Sequence, residues 1–310
     1  MNDAARLHHR GRVYVANTAV GLAGLGHSVA WISRLNRNPI GRRISREIAD
    51  HNVDVSRVLW TDQDRVGTYF YQPNIANRQA QVWYDRADSA FSNCRPEDIV
   101  TALQRLRTKA FHTTGISIGV SESAFRATLK AIDLMRSRGS QISFDVNYRG
   151  KLLGIELFRE RLQHVLPLCQ FIYIPLRDSK AIFGVQVETA EEAAKHLSAI
   201  LPAAHIVVTN GAHGSTCRCP DGRVLSQPAY SCQTVERLGL GDAFSAGFLS
   251  GWLTSRDPAF SLKRAALMAS LKFETTGDFP SVSAEQIANE ERNPTRQPIR
   301  ASSEVCDIER

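Results

Sequence analysis

Apolar positions recur with helical spacing over some stretches of this chain and alternate over others. Asn17 to Leu25 is small and apolar and predicts a buried helix that stops at Gly26. Val29 to Ser33 predicts a short strand. Pro39 to His51 predicts an amphipathic helix, with Ile40, Ile44 and Ile48 four apart. Val66 to Gln72 and Gln81 to Asp85 alternate and are rich in aromatics. Pro73 and Asn74 lie in the loop between them, so the two runs predict paired strands. From Pro96 the pattern changes. Helices are expected near 97–107, 121–138, 155–165 and 189–200. Strands are expected at Ala110–Thr113, Ile142–Val146, Phe171–Ile174 and His205–Thr209. Such alternation predicts a parallel sheet with helices on both faces. After Asn289 the chain is polar, with Pro294 and Pro298, and a loose tail over 289–310 is expected.

Composition narrows the classes. The chain has 310 residues, 43% hydrophobic and 22% charged, which is globular usage and excludes a disordered chain. No apolar run reaches the roughly 18 residues a bilayer span needs. Met1 to Arg12 has no apolar core of a secretory signal. A cytoplasmic protein without a membrane partner is expected. The net charge of +7 comes from 31 arginines and 7 lysines against 31 acids. The arginines are interleaved with acids and form no basic stripe, which argues against a nucleic-acid partner. Cys94, Cys169, Cys217, Cys219, Cys232 and Cys306 make no CxxC pair and are expected to be free thiols.

The sharpest chemistry lies in Val235-Glu-Arg-Leu-Gly-Leu-Gly-Asp-Ala-Phe-Ser-Ala-Gly-Phe-Leu249. Gly239 and Gly241 flank Leu240, and Asp242 opens a helix. Glycines let backbone N–H groups turn inward. A helix start adds unpaired donors and a positive dipole end. Together they suit a phosphate, and the Asp242 carboxylate beside them suits a general base. On spacing alone, Asp242 could equally be a helix cap.

This segment resembles the D-T-x-G-A-G-D signature of the PfkB/ribokinase family of sugar kinases. Its Arg-Leu ahead of the glycines resembles the 2-keto-3-deoxygluconate kinases within that family. Other stretches resemble the family in order. They are Asn17-Thr-Ala-Val-Gly-Leu-Ala-Gly-Leu-Gly26, Val66-Gly-Thr-Tyr-Phe70, Trp83-Tyr-Asp-Arg-Ala-Asp-Ser-Ala90, Phe144-Asp-Val-Asn-Tyr-Arg149, Val207-Val-Thr-Asn-Gly-Ala-His-Gly214 and Leu271-Lys-Phe-Glu-Thr-Thr-Gly-Asp-Phe-Pro280. The resemblance implies a ribokinase-like three-layer α/β/α sandwich over about 13–288, with a small β lid over about 62–90. It also implies phosphoryl transfer from ATP, with Mg2+, to the terminal hydroxyl of 2-keto-3-deoxygluconate.

Roles follow from the resemblance. Asp242 would be the base, and Gly239, Leu240 and Gly241 would form an anion hole for the γ-phosphate. Tyr69, Tyr84, Arg86, Arg149 and Asp278 would meet the sugar acid. Asn147, Thr209, Gly211 and Gly214 would line the ATP cleft. Tyr69 and Tyr84 could also be ordinary cross-strand partners. Arg149 could be a surface ion-pair former, and His112 and His213 are expected to be structural.

Three departures stand out. Arg12-Val-Tyr-Val-Ala-Asn17 occupies the place of the family's Gly-Gly, and the family's first strand is expected to be missing. A gap is then expected beside the strand at Val29–Ser33. The family's Asn-x-x-Glu, which arranges magnesium and phosphate, falls on Pro175-Leu-Arg-Asp178, with Asp178 the candidate metal-site acid. Leu35-Asn-Arg-Asn-Pro39 replaces a Gly-Asp. A fructokinase, a ribokinase, or a relative that binds ligand without turnover stays open on these grounds. Paired lid strands with open edges favour a homodimer.

Overall fold

Residues 14–72, 81–233 and 235–299 are described by the computed structural model. The first helix, α1 (Tyr14–Gly24), is followed by β1 (Val29–Ala30), β2 (Arg34–Asn36), α2 (Pro39–Ala49), β3 (Val53–Asp54) and β4 (Leu59–Thr61). A hairpin of β5 (Thr68–Gln72) and β6 (Gln81–Asp85) comes next. Then α3 (Pro96–Ala102), β7 (Ala110–Thr114), α4 (Gly115–Gly119), α5 (Glu122–Ser137), β8 (Gln141–Asp145) and α6 (Ile155–Val165) alternate. The series continues with β9 (Phe171–Pro175), α7 (Leu176–Phe183), α8 (Ala190–Ile200), β10 (His205–Thr209), β11 (Ser215–Arg218) and β12 (Val224–Gln227). Three helices close the chain: α9 (Leu240–Ser255), α10 (Pro258–Phe273) and α11 (Ala284–Arg292).

The main sheet runs in the order β12-β11-β10-β9-β8-β7. The steps from β7 to β10 are parallel, as the alternation predicts. Two strands not expected from the sequence, β11 and β12, extend the other edge in antiparallel. The cause is local. Gly211 and Gly214 take positive φ and fold the chain straight back into β11. No helix-sized connection is left there, and a parallel neighbour needs one.

Both faces of the sheet are covered. Ile142, Phe144, Ile172, Ile174, Ile206 and Val208 point into a core with α5, α6 and α8. Phe171, Tyr173 and Val207 point the other way, against Phe244, Phe248 and Leu249 of α9 and Leu262 of α10. Among the described residues no helix is long and apolar enough to cross a membrane.

The strand expected at Val29–Ser33 is shorter than its apolar run. Only Val29 and Ala30 pair with β3, and Arg34–Asn36 pairs separately with β4. In β5–β6, Tyr69 faces Tyr84 and Phe70 faces Trp83. The Pro73–Asn74 loop lies outside the described residues. The helix expected to run to 107 stops at Ala102, where Arg57 Nη1 donates to the carbonyls of Ala102 and Gln104.

The segment 289–299 differs from the loose tail expected. Asn289 to Arg292 complete α11, the Arg296 guanidinium meets Glu274 at 2.7 Å, and Ile299 N–H donates to Ala229 O. Half-buried ion pairs and a backbone bridge hold a segment whose apolar content is too low to signal docking. Residues 300–310 lie outside the described residues. Cys94, Cys169, Cys217, Cys219 and Cys232 are free, and Cys306 lies outside that range.

Candidate active site

The carboxyl ends of β8, β9 and β10 share one edge of the sheet, where open α/β folds place their ligands. Asp145 ends β8, Pro175 ends β9 and Thr209 ends β10. The start of α9 arrives at this edge. Gly239 precedes it with φ 76°, and Ala243 N–H makes the first helical bond, to Gly239 O. The N–H groups of Leu240, Gly241 and Asp242 therefore have no intrahelical partner, the arrangement that suits an anion.

Asp242 sits in this first turn and is 3% exposed. Asn17, from α1, donates Nδ2–H to Asp242 Oδ2 at 2.7 Å. Oδ1 of Asp242 is buried with no partner among the described residues. Burial pushes the Asp242 carboxyl up to about 8, helped by the charge of Asp145, while Asn17 and Arg149 oppose the shift. Burial likewise pushes Asp145 up to about 7, against the pull of Arg149. A carboxylate with raised proton affinity is a better acceptor at neutral pH than an exposed one.

Two buried supports were not read from the sequence. Asn17 is one, because a polar residue inside an apolar helix gives no hint of its partner 225 positions away. Lys272 is the other. It is 0% exposed in α10, donates Nζ–H to Thr275 O at 3.2 Å, and brings its Cε 3.6 Å from where a Cβ on Gly239 would lie. The Lys272 side chain thus stands behind the glycine turn. A lysine on the buried side of a helix was the available signal.

The lid closes over this centre. Tyr69 Oη donates to Asp278 Oδ2 at 3.1 Å, joining β5 to the segment after α10. Glu236 accepts from Gly277 N–H at 2.6 Å and fixes that segment from the other side. Arg86 places its guanidinium 4.8 Å from the Tyr84 ring centroid and 5.7 Å from that of Tyr69, a cation–π arrangement that orients the charge. Tyr84 and Arg149 line one cavity of about 310 Å3 between the lid and the loop after β8. Lys151 Nζ donates to Val82 O there, tying lid to core. Tyr69 and Tyr84 are cross-strand partners whose ring centroids lie 6.2 Å apart.

Arg149 lies among three carboxyls and lowers the proton affinity of Asp145, Asp178 and Asp242 alike. It is no isolated surface ion-pair former. Asp178 sits in the first turn of α7, where Arg177 Nε approaches Oδ1 at 3.3 Å. Its Oδ2 is buried with no partner among the described residues. Asn147 is nearly buried, has φ 37°, and gives its backbone N–H to Asp145. Thr209, Gly211 and Gly214 stand at the same sheet edge but two strands away from β8. Gly214 abuts the chain after β12, where a Cβ would fall 2.3 Å from Gln227 O. His112 is structural in its contacts, with Nδ1 bonded to Ser143 Oγ at 2.9 Å, and His213 lies in the turn after β10.

The profile of the pfkB family carbohydrate kinases matches residues 15–284. The 2-dehydro-3-deoxygalactonokinase of Haloferax volcanii is 32% identical over 272 residues, covering 88% of this chain and 84% of that protein. The 2-dehydro-3-deoxygluconokinase of Bacillus subtilis is 24% identical over 268 residues, covering 85% and 80%. A crystal structure of a PfkB family carbohydrate kinase from Listeria grayi superposes with a TM-score of 0.79 at 28% identity, covering 91% of this chain and 90% of that one.

Proposed function

The chain belongs to the pfkB family of carbohydrate kinases and is an ATP-dependent sugar kinase, and from that premise we propose that it phosphorylates 2-keto-3-deoxygluconate on its terminal hydroxyl, giving the 6-phosphate. The observation that carries the substrate is the pairing of Tyr84 with Arg149 in one cavity, with Arg86 stacked on Tyr84 beside it. A neutral sugar has no use for two guanidinium groups, whereas a carboxylate takes them as bidentate partners. Two relatives carry names that specify 2-keto-3-deoxy sugar acids, which supports the same class.

In the reaction, Asp242 takes the proton of the terminal hydroxyl at its free Oδ1. The oxygen then bonds to the γ-phosphorus as the bond to ADP breaks. The unpaired N–H groups at the start of α9 hold the transferring phosphoryl oxygens, and Lys272 adds charge behind them. Thr209, Gly211 and Gly214 line the nucleotide cleft, with Asn147 at its near end. Asp178, whose Oδ2 is buried without a partner among the described residues, would hold Mg2+. Among the described residues no three metal-ligating side chains cluster, and Mg2+ characteristically takes one or two carboxylates with substrate phosphates. Held there, it would neutralise phosphate charge. Asp278 and Tyr69 close the lid over the sugar.

The test is substrate discrimination. Arg86→Leu should raise KM for 2-keto-3-deoxygluconate roughly 10- to 150-fold, the equivalent of one charge-assisted hydrogen bond. KM for fructose or ribose should move far less. Equal effects on acid and neutral sugars would reject the carboxylate role and favour a fructokinase or ribokinase. No ADP release with any sugar would favour a ligand-binding relative, the reading that Pro175 motivates in place of an amide side chain.

Asp242 and Asp145 also set the pH profile. Asp242 must lose its proton to act as base, and the charge on Asp145 raises the pH at which it does so. We expect kcat/KM to rise with pH through about 7 to 8 and to level above that. A profile flat from about pH 6 to pH 9 would remove Asp242 from the base role.

A further inference from the structure

β10 and β11 carry a second cluster of reactive side chains, at the end of the sheet away from Asp242. Thr209 closes β10 at the carboxyl edge, and His205 opens it at the other. The antiparallel ladder sets Cys217 opposite Val207 and Arg218 opposite Ile206, so Cys219 comes level with His205. Cys217 and Cys219 are two apart on an extended chain and point to the same face. Their Sγ atoms lie 4.0 Å apart, and both residues are buried. His205 packs its ring 5.3 Å from that of Phe171 and 4.9 Å from that of Trp252, which holds the imidazole on the same face.

The two sulfurs differ in chemistry. The hydrogen bond from Cys217 lowers the proton affinity of Cys219, and the hydrogen bond and charge of His205 lower it further, against the effect of burial. The contact with Cys219, followed by burial, pushes Cys217 up. Cys219 is therefore the thiolate of the pair, and Cys217 is the thiol that donates to it. The thiolate is the nucleophilic form of cysteine. Cys94 and Cys169 are buried as well, but burial pushes each of them up to about 12, which leaves inert thiols. Cys219 also sits where the backbone can yield. It lies one residue past β11, in a turn where Gly222 N–H donates to Cys219 O and Gly222 holds φ at 98°. Pro220, Asp221, Gly222 and Arg223 of this turn are exposed.

We infer that Cys217 and Cys219 form a reversible dithiol–disulfide modification site whose oxidant is a peroxide. The Cys219 thiolate attacks one peroxide oxygen. An S–O bond forms and the O–O bond breaks. The sulfur is oxidised to a sulfenic acid, and the departing hydroxide takes up the proton the thiolate had shed. Cys217 Sγ then attacks Cys219 Sγ. The S–S bond forms as the S–O bond breaks, and the second hydroxide leaves with the Cys217 proton. Two thiols and one hydrogen peroxide thus give one disulfide and two waters. Two extended residues span about 6.6 Å, inside the roughly 4.4–6.8 Å between the Cα atoms of a disulfide. Bringing the sulfurs from 4.0 Å to the roughly 2.0 Å of a bond takes side-chain rotation and a pinch of the exposed turn. The resolving thiol already stands beside the attacking one, so oxidation stops at the disulfide and does not climb to the sulfinic acid. None of the residues assigned to sugar or nucleotide lies at this end of the sheet, so the modification is read without a kinase assay.

The test treats the reduced 310-residue protein with hydrogen peroxide in modest excess and quenches it at intervals. Remaining thiols are alkylated under denaturing conditions, and each cysteine is mapped by mass spectrometry. The peptide holding Cys217 and Cys219 should lose two hydrogens and escape alkylation, at least about tenfold faster than Cys94 and Cys169 react. Dithiothreitol should restore both thiols. Cys217→Ser should stop the reaction at a sulfenic acid on Cys219, trapped by dimedone, and Cys219→Ser should leave Cys217 reduced. The map of the unsubstituted protein decides the matter even where a variant folds poorly. Persistence of both thiols would overturn the inference. So would equal rates at Cys94, Cys169, Cys217 and Cys219, the mark of reaction through the unfolded chain. A Cys219 that climbs to the sulfinic acid while Cys217 stays reduced would overturn it as well.

Discussion

Asp242→Asn is expected to lower kcat by about 10²–10⁴ and to leave KM for ATP close to the wild-type value. The amide keeps the size of the side chain and can still accept from Asn17 Nδ2, now through its carbonyl oxygen. The N–H groups at the start of α9 are untouched, so nucleotide phosphates are held as before. What is lost is a proton acceptor, and that loss appears in kcat. Steady-state kinetics with the sugar acid and ATP decide the matter. Wild-type turnover would leave Asp242 as a first-turn acid that serves only the helix dipole.

The same variant carries a second signature, in stability. The folded-state proton affinity of Asp242 is raised by burial to about 8. The folded chain therefore binds this proton more tightly than the unfolded chain, whose carboxyl titrates near about 4. The stabilising contribution is complete below that value and is lost as pH rises through about 8. An amide stays neutral throughout. The thermal midpoint of Asp242→Asn should therefore gain on the wild type as pH rises from about 5 to about 9. A helix cap would behave oppositely, because a charged cap strengthens its helix and its removal costs stability at every pH above the carboxyl's own.

Much of this architecture was legible in the sequence because the physics was local. The alternation of helix and strand after Pro96 arises from burial on both faces of a sheet. The crossover helices needed between parallel strands are written at the expected spacing. The glycine turn before Asp242 was legible for the same reason, since positive φ at Gly239 follows from the residue type. The antiparallel edge was not. β11 and β12 are four residues each and carry no clear alternation, and only the turn at Gly211–Gly214 sets their direction. The contacts of Asn17 with Asp242, Tyr69 with Asp278 and Glu236 with Gly277 were also hidden. Each joins segments far apart in sequence, and no periodicity encodes a single polar contact. Lys272 illustrates the same limit. Its charge is visible in the sequence, but its burial behind Gly239 follows from how α9 and α10 pack.

Gly239→Ala should abolish most activity, although it adds a single methyl. A Cβ at this position would lie 2.2 Å from the carbonyl oxygen of Asp278, and the residue holds φ at 76°. Neither side can yield cheaply. Asp278 is held by Tyr69, its neighbour Gly277 is held by Glu236, and the turn itself carries the first N–H groups of α9. The left-handed conformation alone costs a side chain about 1–2 kcal/mol, and relieving the overlap costs roughly 1–3 kcal/mol more. The relief must move either the anion site or the lid contact, and displaced donors cost about 10²–10³ in kcat. Gly184→Ala separates strain from position. Gly184 also has positive φ, 66°, at the end of α7, but nothing lies within 4 Å of its Cβ position. That variant should lose about 1–2 kcal/mol of stability and keep its kcat. Thermal midpoints and kcat measured for both variants give the answer. If Gly239→Ala loses stability but turns over like Gly184→Ala, the turn serves only to start the helix, and the phosphoryl group is held elsewhere.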